Sequence, residues 1–175
     1  MPIVINGSGT VTGLAVGGLP DGTVDRDTLA AAAKGSILQI VNANTATSAV
    51  STSQTWADTG LTANITPSST SSKILVHSIL NGCHNNEAST NQMQLQLLRD
   101  SSVIHIFATE VGHNNGALAH HGFGVGGATS HLDSPSTTSQ ITYKIQFRKR
   151  LAASKTVTVQ YASSYSYLTL FEVAG

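Results

Sequence analysis

From residue 36 to the C-terminus, apolar and polar side chains alternate in short runs separated by turn clusters. Met93, Leu95 and Leu97 alternate with Gln92, Gln94 and Gln96, and Ile141, Tyr143, Ile145 and Phe147 with Thr142, Lys144, Gln146 and Arg148. Period two with one apolar face predicts half-buried strands, because successive side chains of an extended chain point to opposite sides. Val157, Val159 and Tyr161 repeat the pattern, and Trp56, Leu61, Ala63 and Ile65 place another strand over 56–65. Runs at 37–41, 73–80, 103–108 and 165–173 read as further strands. Residues 66–72 (TPSSTSS) and Arg99-Asp100-Ser101-Ser102 supply turns. The pattern predicts an all-β body over 36–175 with about eight antiparallel strands, short connections and no intervening helix. That is the signature of a β-sandwich or jelly roll rather than of βαβ units, and the strand count and chain order point to the jelly roll.

The first 35 residues break this rhythm. Glycines at 7, 9, 13, 17, 18, 22 and 35 lie among small apolar residues, and each one adds backbone entropy that a helix or strand interior must lose. Yet Ile3, Val4, Ile5, Val11, Leu14, Val16 and Leu19 are too many apolar side chains for a solvated linker. The expectation is an extended arm, unable to form its own core, that lies on another protein. One short helix is expected near 26–34, capped by Asp25 or Asp27 and stopped by Gly35. A helix of that length persists only when docked, and it reads as a spacer.

Composition narrows the function. Charged residues make up 10% of the chain and the formal net charge is zero, which argues against a nucleic-acid surface, since neutralising phosphates takes concentrated Lys and Arg. The hydrophobic share of 40% is enough to order a core. A single cysteine, Cys83, excludes an internal disulfide. No secretory pattern follows Met1-Pro2, and no apolar stretch approaches the ~20 residues that span a bilayer. The expected product is soluble and made in a cytoplasm, with no membrane partner.

The densest candidate chemistry is a Gly-His segment over 109–134, which holds His113, His120, His121 and His131. Imidazole is a common zinc ligand, but neighbouring His120 and His121 would diverge on a strand, and no Cys or HExxH pattern accompanies them. A metal would need a symmetric trimer, in which one histidine supplies three ligands. These histidines and Phe123 therefore read as a receptor-contact or trimer loop. Residues 122–127 match GxGxxG without the βαβ context that aims amides at phosphate, and read as a flexible or tightly packed glycine loop. No GxSxG elbow occurs. Glu110 with Asp133 is the only loop carboxylate pair to nominate, Cys83 beside His84 reads as a buried small hydrophobe, and Trp56 reads as core. Tyr161, Tyr165 and Tyr167 read as a subunit interface. No catalytic group, cofactor or metal is expected.

The arm phrase Ile5-Asn6-Gly7 through Val11-Thr12-Gly13-Leu14-Ala15-Val16-Gly17-Gly18-Leu19-Pro20-Asp21-Gly22, followed by Asp27-Thr28-Leu29-Ala30, resembles segments of tailed-bacteriophage structural proteins. So do Gly35-Ser36-Ile37-Leu38-Gln39-Ile40-Val41, Trp56-Ala57-Asp58-Thr59-Gly60-Leu61-Thr62-Ala63-Asn64-Ile65-Thr66-Pro67 ending at Ser71-Ser72-Lys73-Ile74-Leu75-Val76, Asp133-Ser134-Pro135, Tyr143-Lys144-Ile145-Gln146 and the terminal Tyr167-Leu168-Thr169-Leu170-Phe171-Glu172-Val173. The resemblance implies a virion protein with a trimeric jelly-roll domain similar to the C1q and tumour-necrosis-factor architecture. Its shortness, with no repetitive shaft, points to a capsid decoration or cement protein or a short head fibre, partnered by the major capsid protein or another virion protein. The rival expectation is a tail-fibre tip that recognises a host surface glycan or protein.

Overall fold

The computed structural model describes residues 4–5, 11–12, 37–86, 92–111, 125–151 and 156–175. The chain divides into two units, Met1–Ser36 and Ile37–Gly175. In the first unit, two-residue strands β1 (Val4–Ile5) and β2 (Val11–Thr12) pair antiparallel, with Val4 opposite Thr12 and Ile5 opposite Val11. The helix expected near 26–34 lies outside the described residues, as do Ile3, Leu14, Val16 and Leu19.

The second unit is all-β and antiparallel, with no α-helix among its described residues. Its strands are β3 (Ile37–Thr45), β4 (Ala49–Ser51), β5 (Ala57–Ile65), β6 (Lys73–Asn86), β7 (Met93–Arg99), β8 (Ser102–Val111), β9 (Val125–Asp133), β10 (Ile141–Lys149), β11 (Thr156–Val159) and β12 (Ser166–Val173). One sheet runs β5-β10-β7-β8. The other centres on the long β6, which pairs with β12 and then β11 along one side and with β9 along the other. β3 lies beyond β12, and β4 beyond β11.

The core lies between the sheets, and alternation explains which residues enter it. β10 turns Ile141, Tyr143, Ile145 and Phe147 inward and Thr142, Lys144, Gln146 and Arg148 outward. Leu61 and Ile65 of β5, Met93, Leu95 and Leu97 of β7, Ile74, Val76 and Leu80 of β6, and Leu168 and Leu170 of β12 complete the packing. At ~25 cal/mol per Å² of apolar area, this burial is the main force joining the sheets.

The structure adds two strands to the eight expected. β4 is three residues long, too short to show a period. β9 occupies the second half of the Gly-His segment that reads as loop in sequence. Its glycines hide the pattern, but Gly127 faces inward, where an added Cβ would collide with the Leu95 side chain. The tightly packed reading of that glycine run is the right one for Gly127. β6 also continues past residue 80, through a bulge at Gly82, where φ is +62°. That conformation suits glycine.

Candidate functional site

The two sheets present outward faces of opposite character. On β5-β10-β7-β8 the exposed side is laced by polar contacts. Lys144 Nζ lies 3.1 Å from Asp58, Gln146 Nε2 donates to Asp58 at 2.7 Å, and Gln96 Nε2 donates to Gln146 at 2.9 Å. Arg148 Nε donates to Gln94 at 2.7 Å and also covers the Trp56 ring, 4.5 Å from its centroid. Trp56 is thus half-buried under a guanidinium instead of lying in the core as expected. Among the described residues, the large apolar side chains exposed on this side are Val103 and Ile106 of β8.

The outward side of β3-β12-β6-β9 is built differently. Cross-strand partners point to the same side, so the registers fix three transverse rows. The first is Ile40, Phe171, Leu75 and Leu132, apolar on every strand. The second is Asn42, Thr169, His77 and Ser130. The third is Asn44, Tyr167, Ile79 and Ala128. Ile40 and Leu132 are 59% and 53% exposed. The polar row is already paired internally: Asn42 Nδ2 donates to Thr169 Oγ1 at 2.7 Å, and His77 Nδ1 lies 2.9 Å from Ser130 Oγ. Among these twelve positions none is a carboxylate, lysine or arginine; Lys73 stands at the margin, opposite Val173.

Beyond Ile79 the same side carries aromatic rings. Tyr165 and Tyr167 stack with centroids 6.3 Å apart, and Tyr161 stacks on His84 at 4.3 Å. Tyr161 is held there by an unusual turn. Gln160, Ala162 and Ser163 all have positive φ, between 52° and 58°. Asn81 ties the turn down by accepting from Gln160 N at 3.1 Å and donating to the Tyr165 carbonyl at 2.7 Å. All three tyrosines are exposed in the single chain, and the alternation in sequence gave no sign that Tyr161 leaves the strand.

The residues considered for catalysis have other engagements. Asp133 accepts from Arg99 Nη1 and from the Tyr143 hydroxyl, while Glu110 pairs with Arg150. Both carboxylates sit on strands, not in a shared loop. Burial pushes the Cys83 thiol up to about 12, so it stays protonated, and its neighbour His84 faces Tyr161. Of the loop candidates, His131 lies on β9, with its ring stacked on His105 at 5.1 Å. His113, His120, His121 and Phe123 lie outside the described residues. Among the described residues no three His, Cys, Asp or Glu side chains are grouped to hold a metal, and no helix is long and apolar enough to cross a membrane.

No family model and no curated protein matches this chain. Solved structures similar to it include the infectious bursal disease virus VP2 subviral particle, with a TM-score of 0.42 and 10% identity over 79% of this chain and 38% of that one. The crystal structure of the T13 particle of the same virus gives a TM-score of 0.42 and 12% identity over 79% of this chain and 36% of that one. The chain spans well under half the length of either.

Proposed function

We propose that this chain is a structural protein of a tailed-bacteriophage virion: a trimeric jelly-roll body that decorates and stabilises the capsid, attached through the arm at 1–35. The observation that carries the reading is the nesting of the strands. Within the second unit, leaving aside short β4 and β11, the eight remaining strands pair first with last (β3 with β12), second with seventh (β5 with β10), third with sixth (β6 with β9) and fourth with fifth (β7 with β8). A long antiparallel hairpin rolled onto itself produces that order, and the contacts β12 with β6 and β10 with β7 are where the roll closes. Such double-sheet jelly rolls serve viral shells and lectin domains alike.

A non-catalytic role fits the chemistry, since the nominated nucleophile is a buried protonated thiol and the nominated carboxylates are bound in ion pairs. The arm supplies apolar side chains (Ile3, Val4, Ile5, Val11, Leu14, Val16 and Leu19) to the major capsid protein or another virion protein. Three arms on one trimer gain avidity, so contacts that are weak singly hold the particle together. Deleting residues 1–35 tests this. The truncated body should keep its assembly state and fail to join capsids; unchanged incorporation would refute the role of the arm.

A further inference from the structure

We propose that His105 and His131 form an acid-sensitive latch between the two sheets, which holds the β8–β9 edge of the sandwich closed while the rings are neutral and releases it when both carry a proton. The latch belongs to the body alone and works whatever the arm binds.

β8 is the last strand of its sheet, and β9 pairs only with β6 among the described strands of the other. Strand register turns both imidazoles inward, because cross-strand partners point to the same side. His105 lies opposite Leu97 and His131 opposite Val76, and both of those partners are fully buried. The two rings meet across the gap between the sheets, with centroids 5.1 Å apart and planes inclined by 17°. Phe107 stacks on His105 at 6.2 Å. Neutral rings gain apolar contact in such a stack. Imidazole, however, changes its charge between about pH 5 and pH 8. A proton on each ring then sets two positive charges side by side in a half-buried seam.

No group turned into this gap offsets the second charge. β6 contributes Val76 and Ser78, and β8 contributes Phe107, all uncharged. The charged and titratable groups are Asp133 of β9, Arg99 of β7 and Tyr143 of β10, and they are engaged with one another. Arg99 Nη1 donates to both Asp133 oxygens, and the Tyr143 hydroxyl donates to Oδ2. That ion pair sums to zero and leaves no carboxylate over as a counter-ion. Glu172, beyond β6 on β12, is held by Ser68 and Gln39, and Glu110, farther along β8, pairs with Arg150. Among the described residues neither imidazole has a hydrogen-bond partner that would steady it once charged. Parting the edge lets water solvate both cations, so the open form binds more protons than the closed one. Closure therefore weakens as pH falls. His77 stands on the outward side of β6, bonded to Ser130, and takes no part.

Hydrogen–deuterium exchange with mass spectrometry on the full-length protein tests the latch, comparing about pH 7.5 with about pH 5.5, with rates corrected for the intrinsic effect of pH on exchange. The lower value stays above the ordinary carboxylate range. Peptides from β8 and β9 should lose about tenfold in protection relative to peptides from β10, the signature of a local opening. His105→Phe and His131→Phe keep a ring in the stack and remove one charge, so each should shrink that difference several-fold. His77→Phe should leave it unchanged. A wild-type edge equally protected at both pH values would overturn the latch even if no variant folds. So would loosening of β10 in step with β8 and β9, or an edge response that persists undiminished in the His105 and His131 variants.

Discussion

The phenolic hydroxyl of Tyr143 donates to Asp133 Oδ2 at 2.7 Å, joining β10 of one sheet to the end of β9 in the other. Arg99 Nη1 holds the same carboxylate at 2.8 Å, so one anion ties three strands at one end of the sandwich. Tyr143 is fully buried. Burial, and then the hydrogen bond to the Asp133 anion, raise its pKa far above that of a free tyrosine. Replacing Tyr143 by Phe should cost about 1.5–3 kcal/mol, the usual worth of a hydrogen bond to a charged group, read as a lower urea midpoint with an unchanged slope. The sign with pH follows from the raised pKa: the stabilisation is present below the unfolded value of about 10 and is lost as pH rises beyond it. The Phe variant should lose less stability than the wild type above that point.

Glu172 presents the opposite case. It has no exposed surface, and its carboxylate accepts from Ser68 N at 2.7 Å, Ser68 Oγ at 2.6 Å and Gln39 Nε2 at 2.6 Å. Burial alone would raise its pKa, but these donors outweigh burial and hold it below the ordinary range. A lowered pKa gives stability that is present above the unfolded value, about 4.3, and lost as pH falls through the folded one. Thermal unfolding between pH 7 and pH 3 should show that loss. Glu172→Gln should be less stable at neutral pH and should flatten the acid limb.

Two glycines should differ in what an added methyl costs. At Gly82, φ is +62° and a Cβ would sit 2.5 Å from the backbone nitrogen of Tyr161. Neither backbone can yield cheaply. At Gly127 the collision is with the end of the Leu95 side chain, which can change rotamer at an overpacking cost of about 1–3 kcal/mol. Chemical denaturation should therefore rank Gly82→Ala as the more damaging substitution. The same variant should also disturb the Tyr161–His84 stack, visible as a change in near-ultraviolet circular dichroism.

Cys83 should react slowly. Its thiol is buried, and its pKa is raised to about 12 by that burial. Because the thiolate is the nucleophile, alkylation at pH 8 should be orders of magnitude slower in the native protein than in denaturant. Rapid labelling of the native protein would contradict the packing described around β6.

Wherever alternation was clean, the sequence made the fold legible: β7 and β10 appear with their expected inward residues, and Asp100 forms the turn into β8. β9 escaped because Gly126, Gly127 and Ala128 show no apolar period. Its inward positions are Gly127, Thr129, His131 and Asp133, none of them a large aliphatic group. Gln96 shows the limit of a two-state pattern. It reads as solvated, but lies buried between strands, paired with Gln146. The candidate surface was legible only in part. Tyr165 and Tyr167 signalled an interface by density alone, while the row Ile40-Phe171-Leu75-Leu132 joins residues more than 130 positions apart and exists only through strand register.

Direct imaging of a virion that carries this chain tests the central proposal, a phage capsid decoration protein, most simply. In a reconstruction that resolves the head and the tail, the account predicts β-sandwich bodies grouped in threes on the outside of the capsid, with density for residues 1–35 running onto neighbouring shell subunits. The same bodies found only at the tip of a tail fibre, with the arm contacting no capsid protein, would contradict it.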